Sequence, residues 1–187
     1  MQAPSGGAGG RRPVIGVMGS GRFRHDRLST SLGHWIARQG FHLLTGGGCG
    51  IMAAVTEAFV SVHGRAGIAI GVLPGVGTDS GGTPPGYPNR NIELAIRTHL
   101  PSRGEEGTLL NSRNHINVLS ADVVIALPGG TGTRSEVDLA VRYNRPCVAF
   151  LDNRGQLPLP ADVPHVTTVE DVATYVLRHV TAGLARF

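Results

Sequence analysis

The stretch ADVVIALPGGTGTRSEVDLA, residues 121–140, decides the fold, because an apolar run leads through a glycine loop into a segment with helical spacing. An apolar run without alternation is typical of a strand buried on both faces of a parallel sheet. A helix that begins directly after a glycine loop leaves its first N–H groups free, and these groups favour an anion. The stretch therefore predicts a strand–loop–helix unit with a candidate phosphate site at its loop.

Short apolar runs alternate with amphipathic segments along the rest of the chain. The predicted strands are 13–19, 41–48, 66–75, 92–100, 121–130 and 146–152. The predicted helices are 28–40, 51–64, 105–119, 131–144 and 168–180. Residues 92–100 are compatible with a strand or a short helix, and a strand is preferred. This alternation predicts the α/β class, as a Rossmann-like doubly wound parallel sheet with helices on both faces.

The predicted domain organisation is a single Rossmann-like nucleotide-binding domain over residues 13–187. Residues 1–12 lack an apolar run and are predicted to be a disordered tail. Residues 75–91 and 153–165 are rich in Gly, Pro and polar side chains, and we predict loops there.

Composition narrows the classes of function. The 187-residue chain carries a formal net charge of +4, but its arginines are scattered and aromatics make up only 5%. A nucleic-acid surface usually has clustered basic and aromatic side chains, so a small anionic ligand is favoured instead. The two cysteines and eight histidines show no metal-binding spacing, and no metal or cofactor is expected. The absence of a signal-like or long apolar segment predicts a cytoplasmic protein without a membrane span.

Glycine-rich turns follow several predicted strands, and ligands of open parallel sheets bind beyond these carboxyl ends. The turns do not complete the dinucleotide fingerprint GxGxxG, nor the nucleotide-binding GxxxxGK[ST], so neither of those classes is favoured. Thr131 and Thr133 add hydroxyl donors to the loop at Pro128. The candidate phosphate or ligand contacts are Gly19, Ser20, Gly46, Gly47, Gly48, Pro128, Gly129, Gly130, Thr131, Gly132 and Thr133.

Glu136 carries a negative charge close to the candidate phosphate loop, and two interpretations remain open. Thr133 and Glu136 have the spacing of a capping box, in which Thr caps the helix and Glu reaches back to the cap N–H. In that interpretation Glu136 is structural. In the other, its carboxylate serves the ligand.

Two motifs together resemble those of the LOG family, formerly called lysine decarboxylase-like proteins. GGGCGIM, residues 46–52, is similar to GGGxxGxM, and PGGTGTRSE, residues 128–136, is similar to PGGxGTxxE. The resemblance covers about residues 13–151. Family members are cytokinin riboside 5'-monophosphate phosphoribohydrolases, which hydrolyse the N-glycosidic bond of a nucleoside 5'-monophosphate.

The resemblance implies that Arg113 and Glu136 form a catalytic pair and that the glycine loops hold the phosphate. It also implies a homodimer or larger homo-oligomer. The expected reaction is hydrolysis of AMP or N6-substituted AMP to free base and ribose 5-phosphate. A carboxylate beside the sugar would stabilise the oxocarbenium-like transition state.

A second branch of the same superfamily offers a different function. RNHINVLSADVVIALPGGTGT, residues 113–133, is similar to the molybdenum cofactor carrier proteins, which bind a molybdopterin phosphate without turning it over. Asn114 also stands where LOG enzymes usually have Lys. The alternatives to an enzyme are therefore a carrier for a phosphorylated ligand such as molybdenum cofactor, or a nucleotide sensor. In each case the expected partner is a small phosphorylated ligand, with no nucleic acid and no membrane.

Overall fold

The computed structural model describes residues 11–77 and 82–184. The predicted disordered tail therefore lies mostly outside the described residues. At its end, Arg11 forms a bidentate pair with Asp122, with Nη1–Oδ2 and Nη2–Oδ1 distances of 3.0 and 2.6 Å. Asp122 Oδ2 also accepts a hydrogen bond from Val14 N at 2.7 Å. These contacts fix the start of the first strand beside the strand that follows Asp122.

Seven parallel strands form one sheet. In chain order they are β1 Val14–Met18, β2 His42–Thr45, β3 Ala69–Leu73, β4 Leu94–Arg97, β5 Val123–Ala126, β6 Cys147–Phe150 and β7 His165–Val166. Their order across the sheet is β4-β3-β2-β1-β5-β6-β7. The chain thus winds outwards from β1 to β4 and then crosses to the other side of β1 to form β5. The predicted α/β, Rossmann-like doubly wound sheet is confirmed, and its topological switch point lies between β1 and β5.

Helices cover both faces of the sheet. They are α1 Asp26–Arg38, α2 Ile51–Val60, α3 Asn114–Ser120, α4 Thr131–Arg142 and α5 Val169–Leu184. Successive side chains of a strand point to opposite faces, so Val123 and Ile125 enter one core while Val124 and Ala126 enter the other. The first core includes residues of α1, α2 and α5, and the second includes residues of α3 and α4. Among the helices of the described ranges, none combines the length and the apolar character needed to cross a bilayer.

The predicted helix 105–119 is wrong. A short 3-10 helix spans Gly104–Thr108, Leu109 is extended, and α3 begins only at Asn114. Gly104 has a φ of +61°, and Ser102 and Ser112 form an isolated β-bridge that an unbroken helix could not make. The 3-10 helix has no apolar side chain, and α3 is only seven residues long.

The structure confirms the strand predicted in residues 92–100 and corrects the end of the loop predicted over residues 153–165. The segment 92–100 contains β4, so the preferred strand is confirmed. The predicted irregular segment 153–165 ends in β7, whose first residue is His165. A strand of two residues is too short to produce a periodic signal.

Candidate functional site

Hydrogen bonds between loops assemble the site at the switch point. Leu127 N donates to Met18 O at 2.8 Å, and Ser20 N donates to Pro128 O at 3.0 Å. Ile51 N, at the start of α2, donates to Ser20 O at 2.8 Å. Ser20 therefore links the loops that follow β1, β2 and β5. We call the assembled edge the glycine rim, made of residues 19–21, 46–50 and 128–133.

The start of α4 forms a candidate anion cradle within the rim. Gly130 is the residue before the helix, and no side chain caps α4 there. The first N–H groups of the helix therefore lack helical partners and carry the positive end of its dipole. Apart from its two chain neighbours, no described residue has an atom within 4 Å of where a Cβ on Gly130 would stand, whereas a Cβ on Gly129 would come within 2.7 Å of Thr133 Cβ. The cradle is open at Gly130 and closely packed at Gly129.

Arg113 lies beneath the second loop of the rim. It precedes α3 and is only 4% exposed. Its guanidinium packs against Gly46, where a Cβ would come within 2.8 Å of Arg113 Cζ. Within residues 11–77 and 82–184, Nε and Nη1 of Arg113 are buried without a hydrogen-bond partner. A buried guanidinium with unmet donors is a strong local source of positive charge.

Glu136 lies in the second turn of α4 and is 8% exposed. Its Oε1 accepts a hydrogen bond from Asn117 Nδ2 at 3.0 Å and lies 3.8 Å from Arg113 Nη1. Arg113 and Glu136 thus attract each other without a hydrogen bond. Burial raises the pKa of the Glu136 carboxyl, and the Arg113 charge and the Asn117 amide offset only part of that rise.

The capping-box interpretation of Glu136 is wrong. Helix α4 begins at Thr131, three residues earlier than that motif requires, so Thr133 is already inside the helix. The small residues around Gly130 allow the helix to begin directly at the loop. This register directs Glu136 towards α3 instead of back to the helix start.

Asn117 was missed by the sequence analysis. It is fully buried, and it stands four residues after Arg113 on α3, so both side chains share one face of the helix. Its Oδ1 has no partner in the described part of the chain. The spacing RxxxN was the signal that could have pointed to it.

The structure does not aim every predicted contact at the opening of the rim. Gly47 has a φ of +74°, and its N–H donates to Thr45 Oγ1 at 3.0 Å, so this glycine shapes the turn. Gly19 packs against Ile51, within 2.8 Å of an added Cβ, and Gly132 faces Gly104. Ser20, Gly130 and Thr131 remain at least partly exposed at the rim. The predicted ligand contacts themselves stay predictions.

Replacing Glu136 with Gln is expected to stabilise the protein at neutral pH. Because the folded state raises the pKa of this carboxyl above its ordinary value, the folded chain binds more protons than the unfolded chain between the two pKa values. The stability of the parent therefore falls as pH rises from the ordinary value through the raised one. The Gln variant lacks this decline.

Urea unfolding at about pH 4 and about pH 8 measures this difference. We expect the parent and Glu136→Gln to have nearly equal free energies of unfolding at about pH 4, and the variant to be more stable than the parent at about pH 8. Glu170→Gln, at an exposed carboxyl of α5, is the control for loss of one negative charge. Equal pH slopes for the parent and Glu136→Gln would contradict the prediction.

In the ranges that the structure covers, no group of three or more His, Cys, Asp or Glu side chains could hold a metal ion. The fold is a Rossmann-like α/β fold, and its glycine rim places free helix N–H groups close to the switch point. The chain belongs to the SLOG cluster4 family, whose family model matches residues 12–175. This membership confirms the resemblance to the LOG-like superfamily.

Solved structures of similar chains include two molybdenum cofactor proteins. The molybdenum cofactor binding protein from Rippkaea orientalis matches with a TM-score of 0.72 and 32% identity, over 91% of this chain and 98% of that chain. The Moco carrier protein from Chlamydomonas reinhardtii matches with a TM-score of 0.68 and 29% identity, over 92% and 99%. An uncharacterized protein from Archaeoglobus fulgidus is 28% identical over 133 residues, which are 70% of this chain and 75% of that protein.

Proposed function

We propose that this chain is a binding and carrier protein for a phosphorylated pterin of the molybdenum cofactor type. The observation that carries the proposal is the match, over nearly the whole chain, to a molybdenum cofactor binding protein and a Moco carrier protein at about 30% identity. The carrier alternative from the sequence is therefore favoured over the expected phosphoribohydrolase.

The chemistry of the rim fits a phosphorylated ligand. The free N–H groups at the start of α4 suit a phosphate, and the open space at Gly130 lets the ligand approach the backbone. The charge of Arg113, beneath Gly46, favours an anion at the neighbouring loop. A phosphate on the cradle would leave the rest of the ligand to extend along the rim.

A nucleoside 5'-monophosphate phosphoribohydrolase is the second candidate, supported by the proximity of Arg113 and Glu136. Stabilising an oxocarbenium ion requires an ionised carboxylate that reaches the sugar. Glu136 is instead largely buried, its pKa is raised, and its Oε1 is engaged by Asn117. These features favour binding without turnover. A nucleotide sensor uses the same rim, and its ligand would be an intact nucleotide.

We also propose that the protein forms a homodimer or a larger homo-oligomer. Several large apolar side chains are exposed around α3, the neighbouring 3-10 helix and α4, including Leu110, which is 93% exposed. Leu109, Leu119 and Val141 are exposed as well. Burying such side chains between subunits would be favourable. The predicted cytoplasmic location stays a prediction.

Uptake and turnover experiments separate the two functions. Molybdenum cofactor released anaerobically from a donor enzyme is mixed with the protein, free ligand is removed by desalting, and retained pterin is measured by fluorescence after oxidation. We expect stoichiometric retention. A parallel overnight incubation with AMP is expected to yield no ribose 5-phosphate by chromatography.

A result contrary to either expectation would favour a different one of the candidate functions. Failure to retain pterin would overturn the carrier proposal. Release of ribose 5-phosphate over many turnovers, abolished in Glu136→Gln, would establish the hydrolase instead. An intact AMP that remains bound after desalting, without pterin uptake, would favour the sensor.

A further inference from the structure

Residues 82–92 fold against the second loop of the glycine rim. Asn89 makes two hydrogen bonds to that loop, from its backbone N to Gly47 O at 2.7 Å and from Nδ2 to Gly48 O at 3.0 Å. The side chain of Ile92 packs on β3, where a Cβ added to Gly71 would come within 3.1 Å. This segment is therefore a fixed wall of the rim, which we call the Asn89 wall.

Tyr87 is the aromatic side chain of the Asn89 wall. A Cβ on Gly48 would come within 2.8 Å of Tyr87 Cε1 and 2.9 Å of Cζ, so the ring lies directly over the backbone of the rim. The Cε methyl of Met52 lies 2.9 Å from the same point. Tyr87 is only half-buried, so part of its surface remains accessible. Gly48 permits this close approach because it has no side chain.

The distance along the rim matches an extended ligand. In the sheet, β1 separates β5 from β2, and neighbouring strands are about 4.8 Å apart. The loop beside Tyr87 is therefore two strand spacings, about 10 Å, from the anion cradle after β5. A ligand whose phosphate occupies the cradle would place a ring at the other end of its chain near Tyr87.

We propose that Tyr87 is an aromatic platform that determines specificity for a flat heterocycle, and that Asn89 is the positioning residue that holds it. The ring of a pterin, or of a purine, would stack on Tyr87 while its phosphate occupies the cradle. The proposal rests on the proposed function for the phosphate end of the ligand. It adds the group that recognises the ring end.

Two probes separate the ends of the ligand. Neopterin monophosphate carries a ring and a phosphate, whereas ribose 5-phosphate has no heterocycle. We expect Tyr87→Ala to weaken neopterin monophosphate binding about tenfold while the affinity for ribose 5-phosphate stays unchanged. Tyr87→Phe should bind both probes as the parent does. Calorimetry gives the affinities, and quenching of pterin fluorescence in the parent and Phe variant reports the stacked ring.

Matched variants exclude a merely structural role. Tyr87→Leu keeps apolar bulk over Gly48 but lacks an aromatic face, so we expect it to resemble Tyr87→Ala. Asn89→Asp removes the Nδ2 donor to Gly48 O, and we expect weaker binding of the pterin probe only. Thermal unfolding checks that each variant is folded.

Three outcomes would contradict the aromatic platform at Tyr87 or the proposed function on which it rests. If Tyr87→Ala, or a folded Tyr87→Leu, binds neopterin monophosphate as tightly as the parent, the platform is overturned and the proposed function stands. Equal weakening of both probes by Tyr87→Ala would make Tyr87 structural and overturn the platform. A parent that binds neither probe would overturn the anion cradle together with the platform.

Discussion

A single methyl group added at Gly129 is expected to weaken binding of a phosphorylated ligand about 100-fold. The Cβ of an alanine would come within 2.7 Å of Thr133 Cβ and even closer to Thr133 Oγ1. Thr133 is buried in the first turn of α4, so relief requires movement of the helix start itself. Because the cradle consists of backbone N–H groups, a shift of this turn misplaces several donors together.

Gly130→Ala is a matched control for Gly129→Ala. The two glycines are adjacent, but beyond the chain neighbours of Gly130 no atom of the described ranges lies within 4 Å of a Cβ at that position. We expect Gly130→Ala to leave the stability of the fold unchanged, whereas Gly129→Ala should lower it, because only the methyl at Gly129 displaces the start of α4. Calorimetric titration with ribose 5-phosphate, together with circular dichroism, measures both effects. Equal stabilities of Gly129→Ala and Gly130→Ala would show that the packing at Gly129 is not what maintains the cradle.

Removing the charge beneath the rim, in Arg113→Met, is expected to weaken anion binding about 10- to 100-fold, because hydrogen bonds to charged groups contribute about 1.5–3 kcal/mol. Met fills much of the same space against Gly46 without a charge. Stability near pH 5 should change little, since the variant also removes a buried guanidinium with unmet donors. Arg113→Met is therefore expected to lose affinity for the anion while its free energy of unfolding near pH 5 changes little.

The Glu136 carboxyl supplies a second readout for Arg113→Met. The Arg113 charge lowers the pKa of Glu136, so its loss should raise that pKa further. The decline of stability with rising pH should then extend to higher pH than in the parent. Urea unfolding across a pH series detects this extension.

Arg38→Met controls for the change in net charge. Arg38 is exposed at the end of α1, the helix that follows the β1 loop, and so lies away from the rim. We expect this variant to bind the anion as the parent does. If Arg38→Met loses as much affinity as Arg113→Met, the effect is one of overall charge and Arg113 has no special role.

Much of the fold could be predicted because its signals are local. The apolar run Val123–Ala126 followed by Pro128 and two glycines specifies a buried strand, a turn and a helix start within a few residues. The helix predicted over residues 105–119 was wrong, because what interrupts it is not a local signal. Its break depends on a bridge between Ser102 and Ser112, which are ten positions apart.

Some features of the candidate site depend on neighbouring residues, and others depend on contacts between distant segments. The glycine turns are visible in the sequence, because only such residues allow close backbone approach at the ends of strands. The role of Glu136 could not be read from the sequence. Its position fits a capping box or a contact with α3, and only the residue at which α4 begins distinguishes the two. Asn117 was also hidden, since it acts across a contact between distant segments.

The sequence by itself determined the α/β class, the parallel sheet and the set of glycine turns, because strand periodicity and backbone freedom are properties of neighbouring residues. Only the tertiary structure decided which turns meet. It joined the loops of β1, β2 and β5 through Ser20, placed Arg113 beneath Gly46, and set Glu136 against Asn117. The physical reason is that burial and charge compensation depend on distances through space. The raised pKa of Glu136 arises from packing between α3 and α4, which no local pattern of residues encodes.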